Sequence, residues 1–419
     1  MSDSKFPKDF FWGASTSSHQ VEGDTNNQWT KWEKENAEKL SSTARKKLSW
    51  LPNWQAIAKS ASDPNNYISA NGIEHYSRYK EDFQFLTEMG MNAYRFGIEW
   101  SRLEPVKGQW DKHELAHYHE YIAELKAANI EPFVTLWHWT LPLWFTDKGG
   151  FSKRENIKYF VNYAKRIAKE FGDEIRYVII LNEPNVYTGF SYLAGAWPPQ
   201  KVNPLAAYRV YRNLAIAHNE AFIAIKKLAP EINVGIAAQL SDARASHPSN
   251  PVNAILIKSY IYIGNWWFLD RIKDSLDFIG LNYYFTEYRN WWGKTANPKS
   301  PINDLGWYME PSGIYPLLIK LWNRYKKPII ITENGLADAK DTHRQWWLQE
   351  TIQALQKALA DGVDLRGYLH WSLLDNFEWA YGWWPKFGLV AVDRETMRRT
   401  LRPSAKWLAK TIKTTCSKK

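Results

Sequence analysis

The segment "YVIILNEPNV", residues 177–186, carries an apolar run into Asn182, Glu183 and Pro184. A second segment, "PIIITENG", residues 328–335, carries another into Glu333 and Asn334. Such runs fill buried strands, and a carboxylate at the end of one is costly to desolvate unless it is paired or functional. Two carboxylates facing each other are the minimum apparatus for hydrolysing a glycosidic bond. One protonates the leaving oxygen; the other attacks the anomeric carbon or activates water. Spacing along the chain does not fix their separation, so the residues alone leave retention and inversion open. A third pattern, "HELAH" at residues 113–117, satisfies H-E-x-x-H, which on a helix puts His113 and His117 on one face. No residue at a suitable spacing supplies a third ligand. The pattern reads as an outer helix, and neither a metal nor a cofactor is expected.

These residues need a scaffold that presents strand ends to one face. Eight segments read as strands: Phe10–Thr16, Asn92–Trp100, Glu131–Trp139, Tyr177–Pro184, Asn233–Leu240, Leu276–Tyr284, Pro328–Gly335 and Gly367–Asn376. Most have continuous apolar cores, as parallel strands buried on both faces do. Helical patterns separate them, such as Tyr76, Tyr79, Phe83, Leu86 and Leu348, Ile352, Leu355, Leu359. Gly90, Gly172 and Gly362 follow helical runs as C-terminal stops. Alternating strands and helices over the whole chain predict an α/β fold, a single (β/α)8 TIM barrel domain over residues 1–419 with insertions in its rim loops. A doubly wound open sheet is disfavoured, because "FFWGASTSSHQVEG" lacks the G-x-G-x-x-G phosphate loop. The longest insertion, about Asp24 to Gly72, is expected over the C-terminal rim of the strands.

Composition narrows the partners. The chain has 419 residues, 45% hydrophobic and 23% charged, so a packed globular protein is the default. No run approaches 18 apolar residues, and the start lacks a secretory pattern. The lone Cys416 fits a reducing compartment, so a cytoplasmic location is expected. The net charge is +10, with nine Lys or Arg between Arg394 and Lys419. That cluster reads as a solvated helix face and frayed tail, with neither nucleic acid nor membrane as partner. The 24 Trp, 23 Tyr and 18 Phe provide aromatic faces suited to sugars, which are apolar on one side and hydroxylated on the other.

The motifs taken together resemble glycoside hydrolase family 1, the β-glucosidases and their relatives. "FFWGASTSSHQVEG", "YRFGIEWSRLEP", "LWHWTLPLWF", "LNEP", "GLNYY", "ITENG", "HWSLLDNFEWAYGW" and "KFGLVAVD" fall in family order from about Phe6 to Ile412. The resemblance implies a retaining, exo-acting β-glycosidase for an unphosphorylated sugar, acting on a small β-glycoside or oligosaccharide. It makes Glu183 the general acid/base and Glu333 the nucleophile, about 5–5.5 Å apart as retention requires. By motif position Arg95 lies beside the nucleophile and favours its charged form, and Tyr284 hydrogen-bonds it. Gln20, His138, Asn182, Glu378 and Trp379 are the implied partners of the sugar hydroxyls, with bidentate contacts from Gln20 and Glu378. Trp371 is the stacking floor, and Phe387 lies near the sugar's C6 end. A carboxylate at Glu378 would repel a 6-phosphate.

Three features depart from the family pattern. Ile180 stands where threonine is usual and Thr140 where aspartate is usual. After "NWWFLD", residues 265–270, the family usually inserts several dozen residues; here "RIKDS" leads almost directly to "LDFIGLNYY". The omission is expected to open one side of the rim and loosen selection of the leaving group.

Overall fold

The computed structural model describes residues 6–245, 251–290, 293–294 and 300–416. Eight parallel strands close into a barrel: β1 (Phe11–Ser15), β2 (Ala93–Gly97), β3 (Glu131–Thr135), β4 (Tyr177–Asn182), β5 (Asn233–Gln239), β6 (Phe278–Tyr283), β7 (Ile329–Asn334) and β8 (Leu365–Trp371). Seven of the eight expected segments contain one of them; the eighth, Gly367–Asn376, overlaps β8, which starts two residues earlier at Leu365. Closure is direct, with Ser15 of β1 opposite Trp371 of β8 on one side and Arg95 of β2 on the other. Strands β4 and β7, which carry the two glutamates, stand three places apart around the ring rather than directly opposite.

Every strand contributes to a filled interior. Phe11, Ala93, Phe133, Ile179, Ala237, Phe278, Ile330 and Leu369 pack together there, with Tyr177 beside them. Side chains alternate along a strand, so the next inward positions toward the strand ends include Arg95 and Thr135. The barrel is therefore plugged by an apolar layer beneath the polar residues of its C-terminal face. Register shifts occur between Ile179 and Asn182 against β5, and between Ile331 and Glu333 against β6. Such irregularities re-aim side chains, here just before both glutamates.

Helices surround the barrel as their apolar periodicity requires. Helix His75–Glu88 and helix Arg344–Ala360 contain the two periodic patterns. Gly90 and Gly362 stop them at φ values of 71° and 83°. Gly172 differs: its φ is −59°, and what favours glycine is crowding, since a Cβ there would stand 2.3 Å from the Ala168 carbonyl oxygen and 3.1 Å from the Ala229 Cβ.

The insertion after β1 folds into helices Gln28–Leu48 and Trp54–Ala61. Asn27 caps the first by accepting from the Trp29 and Thr30 backbone amides. Gln28 Nε2 donates to the Trp139 carbonyl, and Asn66 Nδ2 to the Tyr381 carbonyl. The insertion thus lies against the loops after β3 and β8, over the strand C-termini.

Two expectations need correction. The basic C-terminal run is not simply solvated. Arg402 makes a two-pronged pair with Asp375 at 2.9 and 3.0 Å, and Arg399 donates to Asp82 at 2.9 Å; both arginines are buried. Periodicity could not separate these arginines from the exposed lysines around them. The short connection before β6 also lies elsewhere than expected. It joins the end of helix Trp267–Ile272 to the start of β6, at the strands' N-terminal face. Ser275 closes the turn through Ile272, and the Lys327 ammonium donates to the Leu276 carbonyl. The omission therefore does not open the face that carries the glutamates.

Candidate active site

The C-terminal end of β4 explains the abrupt stop in "LNEP". Glu183 adopts a left-handed backbone, φ 44° and ψ 60°, and Pro184 opens the short helix Pro184–Thr188. Proline is favoured at a first helical position, whereas a left-handed glutamate costs about 1 kcal/mol. Trp139 and Trp379, also at the rim, share positive φ values of 73° and 49°. Strain of this kind gathers where side-chain direction matters more than backbone comfort. Gly335, after β7, meets strain of another kind: a Cβ there would stand 1.7 Å from the Trp371 carbonyl.

A single hydrogen-bonded set links the strand ends. Arg95, fully buried, donates to Glu333 Oε1 through Nη1, to Asn182 Oδ1 at 2.7 Å and to Thr135 Oγ1 at 2.9 Å. The Tyr284 hydroxyl donates to the other oxygen of Glu333 at 2.6 Å. Glu183 is bonded differently. Its Oε1 accepts from Asn282 Nδ2 at 2.7 Å, and Asn282 is itself held by the Thr332 hydroxyl at 2.6 Å. One glutamate thus faces a guanidinium and a phenol; the other faces a neutral amide. Burial first, and then the charge of Glu333, push the Glu183 carboxyl well above the usual range. The Asn282 bond and Arg95 oppose that shift without cancelling it. Separated environments of this kind distinguish a proton donor from an ionised partner.

The implied sugar ligands surround this set. Asn182 Nδ2 donates to His138 Nε2 at 3.0 Å, which places the imidazole proton on Nδ1. Burial, aided by the charge of Arg95, holds His138 well below its ordinary pKa, so the ring is neutral. Its Nδ1 has no partner among the described residues. His138 stacks near Trp371 and Trp379, with ring centroids 5.6 and 5.9 Å away. Phe387 meets Tyr284 edge-on at 6.2 Å. Gln20 is more committed than expected. Its amide nitrogen donates to the Phe377 carbonyl at 2.7 Å, and its Oε1 accepts from Ser17 at 2.7 Å. An acceptor position on Oε1 remains, so a two-pronged contact with a sugar requires bonds inside the protein to exchange.

Glu378 is partly exposed, yet its Oε2 is buried with no partner among the described residues. Burial and then Glu333 push its carboxyl up to about 8. The folded state therefore holds this proton more tightly than the unfolded chain, whose value is near 4.5, and stability falls as pH rises between about 4.5 and about 8. Glu378→Gln removes that loss. Its melting temperature should match wild type near pH 4.5 and exceed it by several degrees at pH 8, while kcat/KM drops by roughly a hundredfold where the amide NH2 replaces an acceptor for the sugar hydroxyl. Thermal melts at the two pH values check this; an equal gain at both would contradict it.

Several contributors were missed from sequence. Asn282 and Thr332 sit inside "GLNYY" and "IITEN", where a polar residue within an apolar strand was the available signal. Trp384 has a buried indole nitrogen without a partner among the described residues and packs in the cluster of Trp371, Tyr284 and Phe387. Thr140 gains an explanation. Its hydroxyl donates to Glu99 at 2.9 Å, beside Ser18 at 2.8 Å, while Ser101 donates to the other oxygen at 2.6 Å. Aspartate at position 140 would set a second carboxylate against Glu99. Ile180 is fully buried in the main apolar cluster. The "HELAH" helix, capped by Asp111, exposes His113 and stacks His117 on Tyr76 at 3.8 Å. Burial lowers His117 to about 4. Among the described residues no group of three His, Cys, Asp or Glu could hold a metal ion.

A closed (β/α)8 barrel with two glutamates at the C-terminal ends of its strands is an architecture suited to glycoside hydrolysis. Comparison with known proteins agrees. The family model described as glycosyl hydrolase family 1 matches residues 2–272 and 268–416. β-Glucosidase A of Acetivibrio thermocellus is 30% identical over 467 aligned positions, covering 99% of each chain. A β-glycosidase from Pyrococcus horikoshii superposes with a TM-score of 0.85 at 33% identity, covering 98% of this chain and 95% of that one. The β-glucosidase from Thermotoga maritima in complex with glucoimidazole superposes with a TM-score of 0.85 at 28% identity, covering 98% and 99%. The chain belongs to glycosyl hydrolase family 1. The two matched stretches meet at residues 268–272, in the helix just before the short connection to β6.

Proposed function

We propose that the protein is a retaining, exo-acting β-glycosidase that removes a terminal non-reducing β-D-glucosyl residue from O-glycosides, with galactosyl and fucosyl residues as further substrates. The carrying observation is the unequal setting of the two glutamates: Arg95 and Tyr284 on Glu333, an amide and burial on Glu183. In this reading Glu333 attacks the anomeric carbon while Glu183 protonates the leaving oxygen. Loss of the Glu333 charge in the glycosyl-enzyme then lets the Glu183 pKa fall, and Glu183 takes a proton from the attacking water.

The unpartnered Nδ1–H of His138 and Oε2 of Glu378 supply a donor and an acceptor for sugar hydroxyls. Leaving them buried and unpaired costs free energy that a correctly shaped sugar recovers. Asn182 is the partner proposed for the 2-hydroxyl and Trp371 the face beneath the ring. The glucosidase names of the relatives support glucose as the preferred sugar. The chain is proposed to act as one domain without a cofactor, and the lone cysteine is in keeping with the cytoplasm.

A panel of nitrophenyl α- and β-glycosides with gluco, galacto, fuco, manno and 6-phospho sugars tests this reading. Turnover of β-glucoside is expected to lead, with α-glycosides and 6-phospho sugars inert. Preference for an α-glycoside or a phosphorylated sugar would defeat it. Product analysis with excess acceptor sugar separates hydrolysis from transglycosylation through the same intermediate. No turnover of any member would favour a sugar-binding barrel.

A further inference from the structure

Helix Pro251–Ile261 continues through Tyr262–Trp266 into helix Trp267–Ile272, which leads to β6. Its N-terminal half therefore rises at the face that carries the glutamates. Val252, Ile255, Leu256 and Ile263 recur at helical spacing, as the stripe that normally faces a core does. Here the stripe faces solvent: Ile255 is 63% exposed and Val252 60%. Ile257 and Asn253, on the other side, are buried. The neighbouring helix Pro204–Leu228 adds Leu205 and Tyr208, 77% and 56% exposed, near its own N-terminus. Helix Pro204–Leu228 meets the lower end of this helical run, where Tyr211 stacks on Trp267 of helix Trp267–Ile272 at 4.8 Å. Together they expose six large apolar side chains, Val252, Ile255, Leu256, Ile263, Leu205 and Tyr208. The catalytic strand is tied to this crown: Asn185, two residues after Glu183, donates to the Gly264 carbonyl at 3.2 Å.

Charge selects the occupant. Residues 184–219 and 243–269 contain no Asp or Glu. Lys201, Arg209, Arg212 and Lys258 are exposed on the same two helices and the loop before them. A two-fold contact with a second copy would set this basic surface against itself. An anionic lipid surface accepts both the apolar stripe and the surrounding cations. We propose that this crown docks the protein on the surface of an anionic lipid bilayer, with the catalytic mouth beside the headgroups. No helix among the described residues is long and apolar enough to cross the membrane, so the attachment is interfacial. Neither a spanning run nor a local charge cluster marks such a surface in the sequence. The crown exists only once two segments fold side by side. If the proposed glycosidase activity holds, glycosides with lipid aglycones are presented to it there; the docking itself does not depend on that activity.

The test is flotation of the full chain with vesicles of phosphatidylcholine alone or mixed with phosphatidylglycerol. Binding to the mixed vesicles at low salt is expected. It should fall about tenfold or more in the Ile255→Ser/Leu256→Ser double variant and at high salt. Activity on a soluble nitrophenyl glycoside should stay within about twofold in that variant, since neither residue belongs to the catalytic set. Absence of flotation, or flotation unchanged by the double substitution, would overturn the proposal. So would sedimentation of the wild type as a dimer that the double variant dissociates, which would make a second copy the occupant. Inactive soluble sugar sites with intact flotation would refute the glycosidase reading and leave the docking standing.

Discussion

Glu333→Gln is expected to lower kcat/KM for β-glucosides by about 10⁴–10⁶-fold, the range found when a covalent nucleophile is removed. Glutamine keeps the shape and one acceptor oxygen, but not the negative charge that attacks the anomeric carbon. The fold should survive. Arg95 retains Asn182 Oδ1, Thr135 Oγ1 and the Thr332 carbonyl, at 2.7, 2.9 and 3.3 Å, so its guanidinium stays hydrogen-bonded. Stability should still fall, because the buried arginine loses its anionic partner. Steady-state kinetics on an aryl β-glucoside, with circular dichroism to verify folding, decide the matter. Retention of even a tenth of wild-type activity in a folded variant would sink the assignment of Glu333. A matching loss of binding of an uncharged product sugar would show that the substitution acts on recognition and not on chemistry.

The legibility of this barrel followed burial. All eight strands were readable because residues such as Val178, Ile179, Ile330 and Ile331 are apolar on both faces of a parallel sheet, which leaves a continuous run in the sequence. Glu183 and Glu333 were readable because each interrupts such a run. Asn282 was not, although it breaks a run in the same way. Its significance lies in a contact with Glu183 across 99 residues, and no local pattern encodes that distance. Thr140 looked like a loss until Glu99 and Ser101 of one segment and Ser18 of another came together around it. The basic C-terminal run misled for a related reason. Arg399 and Arg402 share the periodicity of surface residues, but their carboxylate partners, Asp82 and Asp375, lie 317 and 27 positions away. Loop position was the other weak point. The short connection before β6 was visible as an omission, yet only the direction of the strand it enters shows which end of the barrel it serves.

Glu183→Ala should separate the two halves of the reaction. An activated aryl β-glucoside has a leaving group that departs without a proton, so formation of the glycosyl-enzyme is spared while its hydrolysis, which needs a base, slows by about 10²–10⁴-fold. KM should fall with kcat as the intermediate accumulates, and a burst of aryl alcohol should appear. Unactivated alkyl glucosides lose both steps. Azide, which needs no base, should restore turnover and yield the β-glucosyl azide, the configuration expected after two displacements. The wild-type pH profile completes the test. Glu183 must carry its proton in the free enzyme, and burial together with Glu333 raises its pKa well above the ordinary 4.5. Activity is therefore retained as pH climbs past the usual carboxyl range and is lost only through that raised value. In Glu183→Ala the alkaline limb for the activated substrate should disappear. An α-glucosyl azide would mean a single displacement. A limb unchanged by the substitution would mean that the titrating acid is another group, of which Glu378, also raised and also near Glu333, is the first to examine.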